Sequence, residues 1–298
     1  MQRIAMCTEG WYRLFNPGAV GQANLETFKK VAGICAGIGY TGVEVVAPTL
    51  DPNPLKMSQT RRRQFQKAAE ESGLRIIGLH WLLAMQEGVY LTDPDPAVRN
   101  KTIETIVGLV RLAADLGGQV VVHGSPAQRT LLPHVSYEAG FDNAVAIYRE
   151  VMPRIEYTGV VVCFEQLTQL ETDFCTTMPE MHRLVEAVDH PQFCGHLDTK
   201  AMAHKHGNDP EKVAKLILQY SAKAGHCHLN DPITMGAPGG SNFDFGPIFQ
   251  ALKASGWQRD RIQASKLRWL SVEPFNFKEV DIEAIAHQSM ECIKGFWK

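Results

Sequence analysis

The clearest indication of the architecture is "VVVCFEQLTQLETDF", residues 160–174. Five apolar residues, 160–164, run directly into Glu165. A continuous apolar run of this length is typical of a strand buried on both faces, as in a parallel sheet. The carboxylate at its end either points into water or meets a positive charge, because burying an unpaired carboxylate is costly.

Seven further apolar runs resemble this strand, at residues 3–7, 42–46, 74–80, 119–124, 193–198, 225–230 and 269–275. Helix-period segments lie among them, at residues 25–39, 95–118, 178–188, 209–220, 247–256 and 281–297. Such alternation predicts parallel strands joined by right-handed crossovers. Eight such units favour a closed (β/α)₈ TIM barrel over an open doubly wound sheet.

The sequence gives no sign of a division into domains. No compositional break or flexible linker interrupts it, so we expect one TIM-barrel domain over residues 1–298. The proline-rich segment 47–56 is predicted to be a loop after the second strand. The common nucleotide-binding motifs, G-x-G-x-x-G after the first strand and G-x-x-x-x-G-K-[ST], do not occur.

Composition limits the partners and the compartment. The net charge is −2 and the longest basic run is "RRR" at 61–63, so neither nucleic acid nor an anionic membrane is favoured as a partner. The 7 cysteines form no C-x-x-C motif, which favours a reducing compartment. Neither a signal-peptide pattern nor an apolar run of ~20 residues is visible, and a cytoplasmic protein is the expectation.

Polar residues lie in or at the carboxyl ends of seven of the predicted strands: Glu44, His80, His123, Glu165, Asp198, His228 and Glu273. One such residue is commonly solvated or caps a loop, but in a barrel these ends meet at a single opening. Glu165, Asp198 and Glu273 would repel one another there unless a divalent cation balanced them. With the imidazole of His228, this mostly oxygen ligand set favours Mn²⁺ or Mg²⁺, with Co²⁺ and Zn²⁺ as alternatives.

Five motifs, "FEQL…ETDF", "GHLDTK", "GHCHLND", "APGGSNFDFGPIFQALKASGW" and "SVEPF", lie between residues 159 and 276. In this order they resemble the xylose-isomerase-like TIM-barrel superfamily, most closely its sugar isomerases and epimerases of the D-tagatose and D-psicose 3-epimerase branch. The resemblance implies one divalent metal held by Glu165, Asp198, His228 and Glu273. It also implies that Glu165 and Glu273 are the acid/base pair and that Glu171 helps to hold the substrate.

Two positions depart from the pattern of that branch. A histidine and an arginine that hold substrate oxygens are replaced by Ala201 and Thr234. This leaves the metal ligands intact and puts the ketohexose specificity in doubt. Lys200, His204 or His206 could substitute for the missing residues.

Further residues near the predicted opening could bind substrate. His80 and His123 either hydrogen-bond sugar hydroxyls or support other residues. Trp11 and Trp81 either form walls against the apolar face of the sugar or pack in the core. Glu44 either reaches the opening or anchors a neighbouring loop.

These residues predict a metal-dependent sugar isomerase or epimerase. One glutamate would remove the proton next to a carbonyl, and the other would return a proton to a metal-stabilised enediolate. The first alternative is a lyase, dehydratase or deglycosidase that acts on an oxidised sugar with the same metal site. Less favoured are an endonuclease for abasic DNA and a barrel that merely binds sugar. The expected partner is a small sugar, and related barrels often form homodimers or homotetramers.

Overall fold

The computed structural model describes residues 3–11, 25–258, 261–262, 266–276 and 281–297. Its centre is a closed barrel of parallel strands: β1 Ile4–Cys7, β2 Gly42–Val46, β3 Arg75–His80, β4 Val120–His123, β5 Val161–Glu165, β6 Phe193–Asp198, β7 Ala224–Leu229 and β10 Leu270–Val272. Around the barrel the strands are paired in the order β1-β10-β7-β6-β5-β4-β3-β2. The short strands β8 Arg261–Ile262 and β9 Lys266–Leu267 pair with each other in antiparallel fashion. The predicted (β/α)₈ barrel is confirmed.

Helices follow the strands as the alternation predicts. The long helices are α1 Leu25–Ile38, α3 Gln59–Glu71, α4 Pro96–Asp115, α5 Tyr137–Ile155, α6 Met178–Val188, α8 Pro210–Tyr220, α9 Gly246–Ala254 and α10 Ile282–Phe296. Short helices are α2 Ala47–Leu50 and α7 Thr199–His204, with 3₁₀ turns at Pro54–Lys56, Pro126–Gln128, Glu156–Thr158 and Ser221–Lys223. None of the helices in the described part of the chain combines the length and the apolar character that a membrane span requires.

The structure corrects the helix prediction in three places. Helices α3 and α5 were not identified from periodicity; in α3 only Phe65, Ala68 and Ala69 are buried, so its apolar pattern is sparse. The segment 47–56, predicted as a loop, contains α2 and a 3₁₀ turn. Both begin with proline in the first turn, where the fixed φ of proline favours helix and no amide hydrogen is needed.

The side chains of the strands alternate between two cores. A small cluster lies inside the barrel, made of Ala5, Ile77, Val120, Val122, Val161, Cys163, Cys194 and Trp269. The larger core fills the space between the strands and the helices. Residues two apart on one strand face the same side, so Cys163 below Glu165, and Ser271 below Glu273, also point inward. The inward side chains therefore change from apolar to polar towards the carboxyl ends of the strands.

The barrel depends on a close approach between β3 and β4. Gly78 pairs with Val120, and a Cβ on Gly78 would lie 2.0 Å from the carbonyl oxygen of Val120. We expect Gly78→Ala to lower the free energy of unfolding by about 1–3 kcal/mol, because backbone must move to make room. Gly33→Ala in α1 is the matched control, since nothing lies within 4 Å of its added Cβ. Urea unfolding checks both, and a Gly78→Ala protein as stable as the wild type would contradict this close packing.

Candidate active site

Four predicted residues meet at the carboxyl end of the barrel. Glu165 ends β5, Asp198 ends β6, His228 lies in β7 and Glu273 directly follows β10. One potential ligand atom from each lies within 4.8 Å of the others, and all four residues are buried. The structure thus brings together the residues proposed as metal ligands.

The chemistry of this cluster fits a divalent cation. Burial, followed by the charges of Asp198 and Glu273, raises the pKa of the Glu165 carboxyl well above its ordinary value. Burial likewise raises the pKa of Asp198. The chain alone therefore does not favour three ionised carboxylates here, and a divalent cation would supply the missing positive charge. Three carboxylates and one imidazole suit the cations predicted from the sequence.

The two oxygens of Glu273 have different partners. Oε2 lies 2.9 Å from Nδ1 of His228. Oε1 lies 3.1 Å from Nδ1 of His80 and accepts a hydrogen bond of 3.0 Å from Nε1 of Trp81. Burial alone would raise the pKa of Glu273, but His228 and His80 together hold this pKa below its ordinary value. The carboxylate is thereby fixed in one orientation as an anion.

His80 lies behind Glu273. It is not among the described residues that line the cavity beside the four-residue cluster. Its Nε2 is 3.0 Å from Oε2 of Glu9, so the ring lies between two carboxylates. Burial opposes a charged ring, but Glu9 and Glu273 raise the pKa of His80 to about 10. The structure therefore supports the alternative in which His80 holds another residue, Glu273, and does not contact the sugar. Glu9 was not predicted, although it lies two residues beyond β1.

Glu44 lies inside the barrel, neither at its opening nor against a neighbouring loop, the two positions expected from the sequence. Its Oε2 accepts a hydrogen bond from Oγ of Ser271 at 2.7 Å and lies 2.8 Å from Nε2 of His226 and 3.2 Å from Nε2 of His228. A proton on Nε2 of His228 is held by this contact, which leaves Nδ1 to face the cluster of ligands. Glu44 thus positions His228.

Other polar residues hold the carboxylate of Asp198 and the backbone of Glu165. Oδ2 of Asp198 accepts from the amide of Asn230 at 2.9 Å, and Oδ1 accepts from the backbone N of Ala201 at 2.7 Å. The buried Arg129 donates to the backbone oxygen of Glu165 at 2.6 Å. Asn230 closes the seventh predicted run, so its position offered a signal, whereas nothing in the sequence around Arg129 indicated its role.

A cavity of about 310 Å³ opens beside the cluster. Its polar wall includes Glu165, Glu171, Lys200 and Glu273. Its apolar wall includes Trp81, Ala84, Met85, Pro126, Ala127, Leu167 and Phe275. Of the three residues considered as substitutes for the missing histidine and arginine, only Lys200 is among the described residues that line this cavity. His204 lines a separate one.

Besides His80, the structure places two more of the predicted substrate-binding residues away from the cavity. His123 packs against Phe164 and hydrogen-bonds the hydroxyl of Tyr148 in α5, so its ring faces the helices. Burial, with the nearby charge of Arg129, lowers the pKa of His123 to about 3. Alternation along β4 explains this, because Val122 takes the inward position. Trp11 is 1% exposed and belongs to the hydrophobic core, which is the packing alternative for it.

Comparison with known proteins assigns the chain to a family. Residues 33–296 match the family described as xylose isomerase-like TIM barrel. The chain belongs to this family. The resemblance drawn from the five motifs is therefore confirmed.

Two proteins similar in sequence to this chain are L-ribulose 3-epimerases. The one from Mesorhizobium japonicum is 27% identical over 192 residues, 64% of this chain and 60% of that protein. The one from a Methylomonas species is 25% identical over 225 residues, 76% of this chain and 73% of that protein. The solved structure of D-psicose 3-epimerase from Clostridium cellulolyticum has a TM-score of 0.78 at 18% identity, with 99% of this chain and 98% of that chain covered. The two L-ribulose 3-epimerases confirm the predicted enzyme class, a sugar isomerase, and the likeness to the solved structure shows a shared fold.

The position of Gly124 tests whether the cluster holds a metal. A Cβ on Gly124 would lie 2.3 Å from Oε2 of Glu165. We expect Gly124→Ala to displace that carboxylate and to weaken Mn²⁺ binding at least about 10-fold, as measured by titration calorimetry. Gly37→Ala, where nothing lies within 4 Å of the added Cβ, is the control. Equal Mn²⁺ affinity in both variants would speak against a metal at Glu165.

The contact between Glu44 and His228 leads to a second test. Glu44→Gln keeps the size of the side chain but removes the charge that holds the Nε2 proton of His228. We expect Mn²⁺ affinity to fall about 10- to 100-fold, the usual effect of losing a residue that orients a metal ligand. Glu71→Gln, at an exposed residue of α3, is the control. An unchanged dissociation constant for Mn²⁺ in a folded Glu44→Gln protein would show that Glu44 does not position this histidine.

Proposed function

We propose that the protein is a divalent-metal-dependent epimerase of ketoses that inverts the carbon next to the carbonyl. One observation carries the proposal: Glu165 and Glu273 belong to the four-residue cluster and also line the adjoining cavity. Two carboxylates that reach both a cation and a substrate are what proton transfer at such a carbon requires. The two L-ribulose 3-epimerases support a ketose as the substrate.

We assign the four residues Glu165, Asp198, His228 and Glu273 to a site for Mn²⁺ or Mg²⁺. A cation held there supplies Lewis-acid chemistry, which polarises the carbonyl of the sugar and makes the adjacent C–H more acidic. Asn230 and Glu44 keep Asp198 and His228 in position for it. The remaining steps are carried out by side chains of the protein.

Glu165 and Glu273 transfer the proton. One of them removes it from the carbon next to the carbonyl, which leaves an enediolate, and the other delivers a proton to the opposite face. Trp81 donates a hydrogen bond to one oxygen of Glu273 and also forms part of the cavity wall. The same side chain therefore orients the proposed base and contacts the sugar. Phe275 and Leu167 add apolar surface that displaces water from the reacting carbon.

Exchange of hydrogen with solvent tests this mechanism. Incubation of the Mn²⁺-loaded protein with a panel of ketoses in D₂O is expected to place one deuterium on the carbon that is inverted, as followed by NMR. Glu165→Gln and Glu273→Gln are each expected to lower the rate of exchange by at least about 100-fold, because general acid–base groups contribute rate factors of this size. Metal content measured on each variant separates loss of a base from loss of the cation.

Comparison of the two epimers sharpens the test. If each glutamate serves one face, each variant loses exchange mainly from the epimer whose proton it removes. Deuterium at a neighbouring carbon with an aldose as product would identify an isomerase instead. Fragmentation or loss of a leaving group would identify the elimination chemistry of a lyase or deglycosidase. Absence of exchange with every ketose would refute the proposal.

Three further expectations from the sequence accompany this function. We propose that residues 1–298 act as one domain, that the enzyme is cytoplasmic and that it forms a homodimer or homotetramer. Size-exclusion chromatography with light scattering measures the last of these directly.

A further inference from the structure

Lys200 brings a buried ammonium group into the cavity. The residue is 4% exposed, and its Nζ lies 2.7 Å from Oε1 of Glu171 and 4.3 Å from the centre of the Phe275 ring. All three residues line the cavity next to Glu165 and Glu273. Among the described residues that line it, Lys200 is the one cation.

The same turn that places Asp198 also places Lys200. Asp198 caps the start of α7 through the backbone N of Ala201, and Lys200 lies in the first turn of that helix. The backbone N of Lys200 donates to Oδ1 of Asn230 at 2.7 Å, and the side-chain amide of Asn230 also holds Asp198. The ammonium therefore has a fixed position relative to the proposed metal site.

The hydrogen-bonding capacity of this group is not used up by the protein. An ammonium has three N–H donors, and within the described part of the chain Nζ hydrogen-bonds Glu171 only. Glu171 in turn is held by the backbone N and the hydroxyl of Thr168, at 3.0 and 2.8 Å. The pair thus presents a donor and an acceptor side by side, and a sugar hydroxyl is itself both donor and acceptor.

We propose that Lys200, paired with Glu171, binds a hydroxyl group of the sugar next to the reacting carbons and so determines which ketose the enzyme accepts. This rests on the proposed function, since it assigns one wall of the same cavity. Because Glu171 balances the charge of the ammonium and the other charged groups lining the described cavity are carboxylates, the pair suits a neutral hydroxyl rather than a phosphate. Lys200 is then a specificity-determining residue.

The test combines a variant with substrate analogues. Lys200→Met keeps the stem of the side chain and removes the donors, and Lys200→Gln retains an uncharged donor. Each is assayed with the ketose that the wild type exchanges fastest and with deoxy analogues that each lack one hydroxyl. Lys205→Met, at an exposed residue that lines a different cavity, is the control.

We expect Lys200→Met to lower kcat/KM for the parent ketose about 10- to 100-fold, the effect of losing a hydrogen bond to a charged group. For one deoxy analogue, the one without the contacted hydroxyl, wild type and variant should differ by less than about 2-fold, since no bond remains to be lost. The kcat/KM of Lys200→Gln for the parent ketose should lie between those of the wild type and of Lys200→Met. The kcat/KM of Lys205→Met should match that of the wild type. Metal content should be the same in all four.

Two results would overturn the inference: no effect of Lys200→Met, or an equal loss for the parent and for every deoxy analogue. The second result would mean that the residue acts on the fold of the cavity. A wild type that exchanges no ketose refutes the proposed function first. In that case the affinity of the Mn²⁺-loaded wild type and variants for the same sugars, measured by calorimetry, tests the role of Lys200 separately. Equal affinities would overturn the proposal that Lys200 binds a sugar hydroxyl.

Discussion

Three buried carboxylates crowd together at one end of the barrel, and the other polar residues of the site are arranged around them. Glu165, Asp198 and Glu273 approach within 4.8 Å of one another and of His228, and all are buried. Like charges at this distance in a poorly solvated site repel by several kcal/mol, on the order given by Coulomb's law with an effective dielectric constant near 20. The fold must therefore supply positive charge and donors around them, and it must leave room for a cation among them.

The layers of the barrel interior show how the fold meets this demand. The inward side chains nearest the amino ends of the strands are apolar, and Glu44, His226 and Ser271 form a buried polar set towards the carboxyl ends. That set fixes His228, which belongs to the cluster itself. Because side chains alternate with a period of two, a shift of one residue in β7 would turn His228 towards the helices and bring Cys227 inward. The strand register is thus as important to the site as the residue types are.

The strand order and most of the cluster could be predicted from the sequence, because both depend on local patterns. Apolar runs that end in a polar residue located Glu165, Asp198 and Glu273, and the alternation of runs and helices predicted the barrel. The direction of a side chain at a strand end depends on how neighbouring strands are staggered, which no local pattern records. His80 and His123 both end a strand, yet one contacts Glu273 and the other contacts Tyr148.

Contacts between distant segments were the least predictable part of the site. Glu9, Glu44 and Arg129 reach it from three different parts of the chain, and each contacts a residue at least 36 positions away. Glu44 illustrates the difficulty, since it lies within a strand rather than at its end. Only the closure of the barrel brings β2 close enough to β7 and β10 for its carboxylate to meet His226 and Ser271.

The environments of the two proposed catalytic glutamates differ in a way that bears on reversibility. In the chain alone, burial and the like charges of Asp198 and Glu273 raise the pKa of Glu165, whereas His228 and His80 outweigh burial and lower the pKa of Glu273. A reversible epimerisation needs each glutamate to act as a base in one direction and as an acid in the other. Two groups with widely separated pKa values serve that purpose poorly, because one would stay protonated and the other ionised. A cation among the four ligands would counter the repulsion that raises the pKa of Glu165, and the ionised form of this carboxyl could then act as a base. The crowding of acids that calls for a cation would therefore also make the chemistry proposed for Glu165 depend on that cation.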